Sequence, residues 1–214
     1  MPKKIHRLPL LLLAAGLFVT MMLSINTQES ALANNTQSQS FTAEGHLLQR
    51  YKDISALSMS KRKDLFRRAS ADDKSGLWKV HLALYLAGHP ELTKEQKNIV
   101  LEAMALARPE LFEISEGDFA WSTKVNKPLK SFKKRALDVF SKEEGAEIFA
   151  KLGGREPISS TWVDEPPIDE GFGTCVCSRT SDWCVNVCVG NVCERTADGC
   201  GTLWFYPCDG NHCS

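Results

Sequence analysis

The stretch from Gly173 to Ser214, GTCVCSRTSDWCVNVCVGNVCERTADGCGTLWFYPCDGNHCS, decides how the chain is read. It holds all eight cysteines of the protein: Cys175, Cys177, Cys184, Cys188, Cys193, Cys200, Cys208 and Cys213. An even number of cysteines in so short a segment predicts a disulfide-stapled domain. A domain of that size buries too little surface to hold itself together, and covalent bridges of about 2–4 kcal/mol each usually make up the difference. The spacing C-x-C-x6-C-x3-C-x4-C-x6-C-x7-C-x4-C leaves on the order of a hundred pairings open. Cys175 and Cys177 are not expected to pair with each other, because alternate residues of an extended strand sit too far apart for closure. Cys184-x3-Cys188 alone has zinc-like spacing. The even count and the reading of export favour disulfides, so no metal and no cofactor are assigned.

The other end of the chain sets the expected compartment. Met1 to Arg7 is basic, Leu8 to Leu23 is apolar apart from Pro9 and Thr20, and Ala31-Leu32-Ala33 follows a polar stretch. That order predicts a secretory signal peptide over residues 1–33 with cleavage after Ala33. The apolar run is shorter than the roughly 20 residues needed to span a bilayer. The expected localisation is therefore secreted, with periplasmic or membrane-anchored placement as the alternative. Asn34 to Ser40 reads as a polar lead-in.

Residues 42–154 predict a helical domain. Ser70, ahead of Asp72 and Asp73, is a helix start. Leu77 to Ala87 carries Leu77, Trp78, Val80, Leu82, Leu84 and Leu86, the pattern of a central buried helix, with His81 as a core or boundary residue. Gly88 is its stop signal. Thr93 with Gln96, and Ser141 with Glu144, are capping boxes. A looser region from Glu113 to Lys127 contains Phe119 and Trp121. Leu129, Phe132, Ala136 and Phe140 then share a helix face, as do Ile148, Phe149 and Leu152 before Gly153-Gly154 closes the last helix. Residues 155–172, rich in proline and acid, read as an exposed linker. The fold class is thus a mainly α N-terminal helical domain plus a small disulfide-rich β/irregular domain over 173–214.

Charge and motifs narrow the function. With 26 basic and 26 acidic residues the formal net charge is zero, which gives no footprint for nucleic acid. No phosphate-binding glycine loop, HExxH or GxSxG pattern is present, so no catalytic residue is assigned and the reading is a non-enzyme. The cysteine-rich segment has two arginines against four acids, Asp182, Glu194, Asp198 and Asp209. It is also rich in apolar side chains, more than a domain of that size encloses. Trp183, Trp204, Phe205 and Tyr206 are therefore expected to form an exposed contact surface for a target cell surface or receptor protein, with the membrane interface as a further contact. Its acidity argues for a specific target rather than bulk disruption of anionic lipid.

Cys175-Val176-Cys177-Ser178, Ser181-Asp182-Trp183-Cys184 and Gly199-Cys200-Gly201-Thr202, with Trp204 and Tyr206, resemble the mature region of the fulvocin C bacteriocins. Upstream, Lys74-Ser75-Gly76-Leu77-Trp78 and Glu95-Gln96 resemble the fulvocin C-related proteins, so the resemblance covers most of the chain. The spacings around Cys188 and the last two cysteines, Cys208 and Cys213, depart from that pattern. The resemblance implies a secreted bacteriocin-like precursor, in which the helical part is a pro-domain and the disulfide domain the effector. The alternative is a non-toxic secreted binding module.

Overall fold

The structure, a computed structural model, describes residues 45–154, 174–184, 187–190 and 192–213. The expected signal peptide and linker lie outside the described residues. The described residues from 47 onward form one compact unit. No strand occurs within 45–154, which is built from helices as the sequence predicts. They are α1 over residues 45–55, α2 Met59–Arg68, α3 Ala71–Gly88, α4 Lys94–Leu106, α5 Pro109–Phe112, α6 Lys127–Leu137 and α7 Lys142–Phe149.

Local chemistry sets the helix starts. The Ser70 hydroxyl accepts from the Asp73 backbone N–H at 3.1 Å. Both capping boxes close: Gln96 N–H to Thr93 Oγ1 at 3.2 Å with Thr93 N–H to Gln96 Oε1 at 3.0 Å, and Glu144 N–H to Ser141 Oγ at 3.2 Å with Ser141 N–H to Glu144 Oε2 at 2.9 Å. Each satisfies two amide donors that a helix start otherwise leaves open. Pro109 begins α5 at its first position, where its missing N–H costs nothing. The looser region ends in a π-helical turn, Trp121–Asn126, that turns Trp121 and Val125 inward and runs into α6. α3 is the central helix, packed against α4 and α5, with Leu77, Trp78 and Leu82 fully enclosed.

The end of α7 differs from expectation. The helix stops at Phe149, and Gly153 and Gly154 form a separate turn at φ 88° and 68°, left-handed values that suit glycine. Arg62 explains the placement. Its guanidinium is fully buried and donates to four backbone carbonyls: Ser55 at 2.6 Å, Leu57 at 2.8 Å, Leu152 at 3.0 Å and Gly154 at 2.8 Å. One side chain thus ties the end of α1 to the end of α7. A Cβ on Gly153 would lie 2.9 Å from Arg62 Nη1, so glycine is required for the approach as well as the angle.

His81 is buried on α3, as the sequence suggests. Its Nε2 lies 3.1 Å from the Ile148 carbonyl and its Nδ1 2.8 Å from the Tyr51 hydroxyl. A carbonyl can only accept, so Nε2 carries the proton and Nδ1 accepts from Tyr51. Burial pushes the imidazolium down to about 4, against the helping carbonyl of Ile148.

In the cysteine-rich segment the strands are short. β1 Cys188–Val189 pairs antiparallel with β4 His212–Cys213, and β2 Thr196–Cys200 pairs antiparallel with β3 Tyr206–Cys208 across an irregular register. The eight cysteines pair as Cys175–Cys193, Cys177–Cys188, Cys184–Cys213 and Cys200–Cys208, leaving no free thiol. The expectation of a separate small domain is corrected. Trp183, Leu203, Trp204, Phe205 and Tyr206 belong to the same apolar core as Phe66, Trp78, Phe132 and Phe149 of the helices. A stapled loop of this size has no room for an aromatic core of its own and shares that of the helices.

Two stability predictions follow from these buried groups. Arg62→Leu leaves four carbonyls without their donor and should lower unfolding stability by more than about 3 kcal/mol, read as a drop in urea midpoint. Because the folded-state pKa of His81 lies below that of the unfolded chain, the folded state binds fewer protons. Stability is then full above about 6.5 and falls as pH drops towards 4, by up to about 3 kcal/mol from this group. Urea titrations across that range should show the loss in the parent and a flatter profile in His81→Gln.

Candidate functional site: the aromatic face of the cysteine-rich segment

The four residues expected to form an exposed contact surface are buried: Trp183 is 6% exposed, Trp204 0%, Phe205 5% and Tyr206 1%. That expectation is corrected. The reasoning behind it held for the cysteine-rich segment alone, which cannot enclose these side chains. The helices enclose them instead.

Trp204 is the centre. Its ring meets Phe66 of α2 edge-on at 5.1 Å and Trp78 of α3 edge-on at 5.8 Å, and its indole N–H donates to the Ala150 carbonyl at 2.7 Å. Phe205 stacks on Phe112 of α5 at 4.0 Å. Tyr206 meets Trp121 edge-on at 5.7 Å and donates to Asn126 Oδ1 at 3.2 Å, and burial raises its phenol pKa. Trp183 sits at 5.9 Å from Phe149 of α7, and its indole N–H donates to Thr202 Oγ1 at 3.0 Å. Gly145 makes room for it, since a Cβ there would lie 2.3 Å from Trp183 Cζ3. Every aromatic of the set thus has at least one partner on a helical element and a place for its polar atom where it has one.

The backbone bends to present this face. Gly201 has φ 68°, and Leu203 and Trp204 both take left-handed values, 51° and 57°. For residues with side chains such values cost about 1–3 kcal/mol each and persist only where packing over-determines them. Leu203 and Trp204 are both fully enclosed.

Cations from the helices hold the segment at its edges. Lys74 Nζ, nearly buried, reaches the half-buried Asp198 at 2.7 Å. Lys63 Nζ donates to the Val176 carbonyl at 2.7 Å and lies 3.2 Å from Cys200 Sγ. Burial, with Arg67 beside it, lowers the Lys63 ammonium to about 8, the mark of an amine drawn out of water to reach a carbonyl. Lys133 donates to the Asp182 carbonyl and lies 5.1 Å from the Trp183 ring centroid. In the reverse sense, Arg195 of the cysteine-rich segment pairs with Glu116 of the helical part, and both line a cleft of about 270 Å³ with Trp121, Trp204 and Phe205. No local sequence pattern assigns these cations to contacts between the helices and the cysteine-rich segment.

The sulfurs of Cys177, Cys184 and Cys213 lie within 4.8 Å of one another. Each is bonded to another sulfur, so the cluster is two adjoining disulfides and not a set of thiolates. Among the described residues no helix is long and apolar enough to cross a membrane. No protein-family model, curated protein or solved structure matches the chain.

The face as a whole is a joint between two parts of one chain, and substitutions on either side of it should behave alike. Trp204→Ala should lower stability by about 3–5 kcal/mol, the range for truncating a buried Trp. Gly145→Ala, on the far side of the contact, should disturb Trp183 and be seen as a changed tryptophan near-ultraviolet signal with helix content retained. Cleavage at a protease site placed within 155–173 should give two pieces that still co-elute on gel filtration and part only in denaturant.

Proposed function

We propose that the protein is a secreted, bacteriocin-like precursor in which the helical segment masks the effector face of the cysteine-rich segment. The observation that carries the reading is the burial of Trp183, Trp204, Phe205 and Tyr206 against α2, α3, α5 and α7. An aromatic surface with polar tips is well suited to gripping a protein receptor. Here it is occupied by the protein's own helices, so target binding requires that they part. The resemblance to the fulvocin C bacteriocins supports an antibacterial role, and the four disulfides support a function outside a reducing compartment. The action is binding to a target cell surface or receptor, not catalysis.

The test compares three samples on a panel of bacteria: the intact oxidised protein, the protein cleaved within 155–173 but still associated, and the separated disulfide-bonded C-terminal piece. The first two are expected to be inert and the third to inhibit growth, with the effect lost on reduction. A separated piece that inhibits nothing would leave the non-toxic recognition module as the reading. Inhibition by the intact chain would overturn the mask.

A further inference from the structure

A second surface, remote in chemistry from the acidic cysteine-rich segment, lies on the run from Phe119 to Leu137. This run contains six basic residues, Lys124, Lys127, Lys130, Lys133, Lys134 and Arg135, and no acid. α6 buries Leu129, Phe132 and Ala136 on its inner face. Lys133 is engaged with Asp182 and Arg135 with Glu102. That leaves Lys124 on the preceding turn and Lys127, Lys130 and Lys134 on α6, all exposed and none with an ion-pair partner among the described residues. Lys127, Lys130 and Lys134 stand at i, i+3 and i+7, one stripe about 10 Å long on the outer face.

A lysine face alone is what many solvated helices carry. Phe119 changes the reading. It is fully exposed, the most exposed large apolar side chain described, at 103% of its reference area. It precedes Lys124 by five residues, on the loop that leads into the lysine run, and Lys124 and Pro128 line a cleft with Ile114 of that loop and with Arg108 and Glu110. Of the acids near it, Glu116 pairs with Arg195 and the Asp118 carboxylate accepts from the Ser115 backbone N–H at 2.6 Å, while Glu110 and Glu113 are exposed. A lone aromatic beside a stripe of lysines is the arrangement that a lipid headgroup layer rewards, since the ring enters the interface while the ammonium groups meet phosphates. A nucleic acid would be better served by several stacking aromatics along the cationic track, whereas this run offers one exposed ring.

We infer that Phe119 with Lys124, Lys127, Lys130 and Lys134 is a docking site for an anionic phospholipid surface, used by the intact, masked chain. It does not rest on the aromatic face of the cysteine-rich segment, which stays buried throughout. Such binding would deliver the precursor to an envelope before any separation of its parts.

The experiment is vesicle co-sedimentation of the full oxidised chain at physiological salt. The vesicles are phosphatidylcholine alone or phosphatidylcholine mixed with phosphatidylglycerol. Binding is expected only with the anionic lipid and should weaken as salt is raised. Each lysine contributes on the order of a five-fold gain in partition, so replacing all four by Gln should reduce it by more than about a hundred-fold. Phe119→Ser should reduce it by about ten-fold or more. All five side chains are exposed, so circular dichroism and thermal midpoint should match the parent and exclude misfolding. Absence of binding to anionic vesicles overturns the inference. So does binding that Phe119→Ser leaves unchanged, or duplex DNA binding of equal strength that the same variant does not alter.

Discussion

The docking of Trp204 between α2 and α3 is the contact on which the rest of the structure depends. Four disulfides hold the cysteine-rich segment to a narrow set of loop shapes, but they do not give it an interior. A bridge acts chiefly by restricting the unfolded chain, whereas an interior needs apolar surface removed from water on all sides. The segment supplies Trp183, Leu203, Trp204, Phe205 and Tyr206, and the helices supply Phe66, Trp78, Phe112, Trp121 and Phe149. Neither set closes alone. The left-handed backbone at Leu203 and Trp204 is intelligible only in this light, because a strained pair on an open loop would relax.

Around that core the polar contacts follow a common pattern. Arg62, Lys63 and Lys133 each send a cation to main-chain carbonyls. A long side chain that carries an apolar stem and a charged tip can cross an apolar layer and still satisfy oxygens on its far side. Lys74 with Asp198 and Lys142 with Asp182 add the charge complement between a basic helical part and an acidic cysteine-rich one. Arg62 acts between α1 and α7, so it fixes the socket into which Trp204 Nε1 donates at Ala150.

Elements whose signals are local were legible in the sequence. The capping boxes at Thr93 and Ser141, the N-cap at Ser70, the buried face of α3 and the inner face of α6 all rest on spacings within one or two turns. The disulfide content was legible from composition, but the pairing was not, because it depends on how β1, β2, β3 and β4 fold back on one another. The contact surface was half legible. Small size correctly says that Trp183, Trp204, Phe205 and Tyr206 cannot be covered by their own segment. What covers them lies far away in sequence, as Trp204 against Phe66 shows, and no local pattern announces it. Arg62 left one trace: with Met59 and Phe66 it falls at i, i+3 and i+7 on the inward face of α2, so a charged residue there signals a buried partner set.

Under the masking proposed above, the shared core governs how the two parts separate. While residues 155–173 join the two parts, the cysteine-rich segment meets its helical socket at the high effective concentration of a tethered pair. Cutting the tether does not touch Trp204, Lys74–Asp198 or Lys63, so the pieces remain together until the helical part is diluted, unfolded or degraded. The two parts are unequal in this respect. The cysteine-rich piece keeps four covalent staples when its partner is lost, whereas the helical part loses Trp204 from the middle of its own core and with it the edge contacts of Phe66 and Trp78. Under the same proposal proteolysis favours one direction: once opening begins, the unstapled helices are the part consumed, and the stapled piece is left with its aromatic face uncovered.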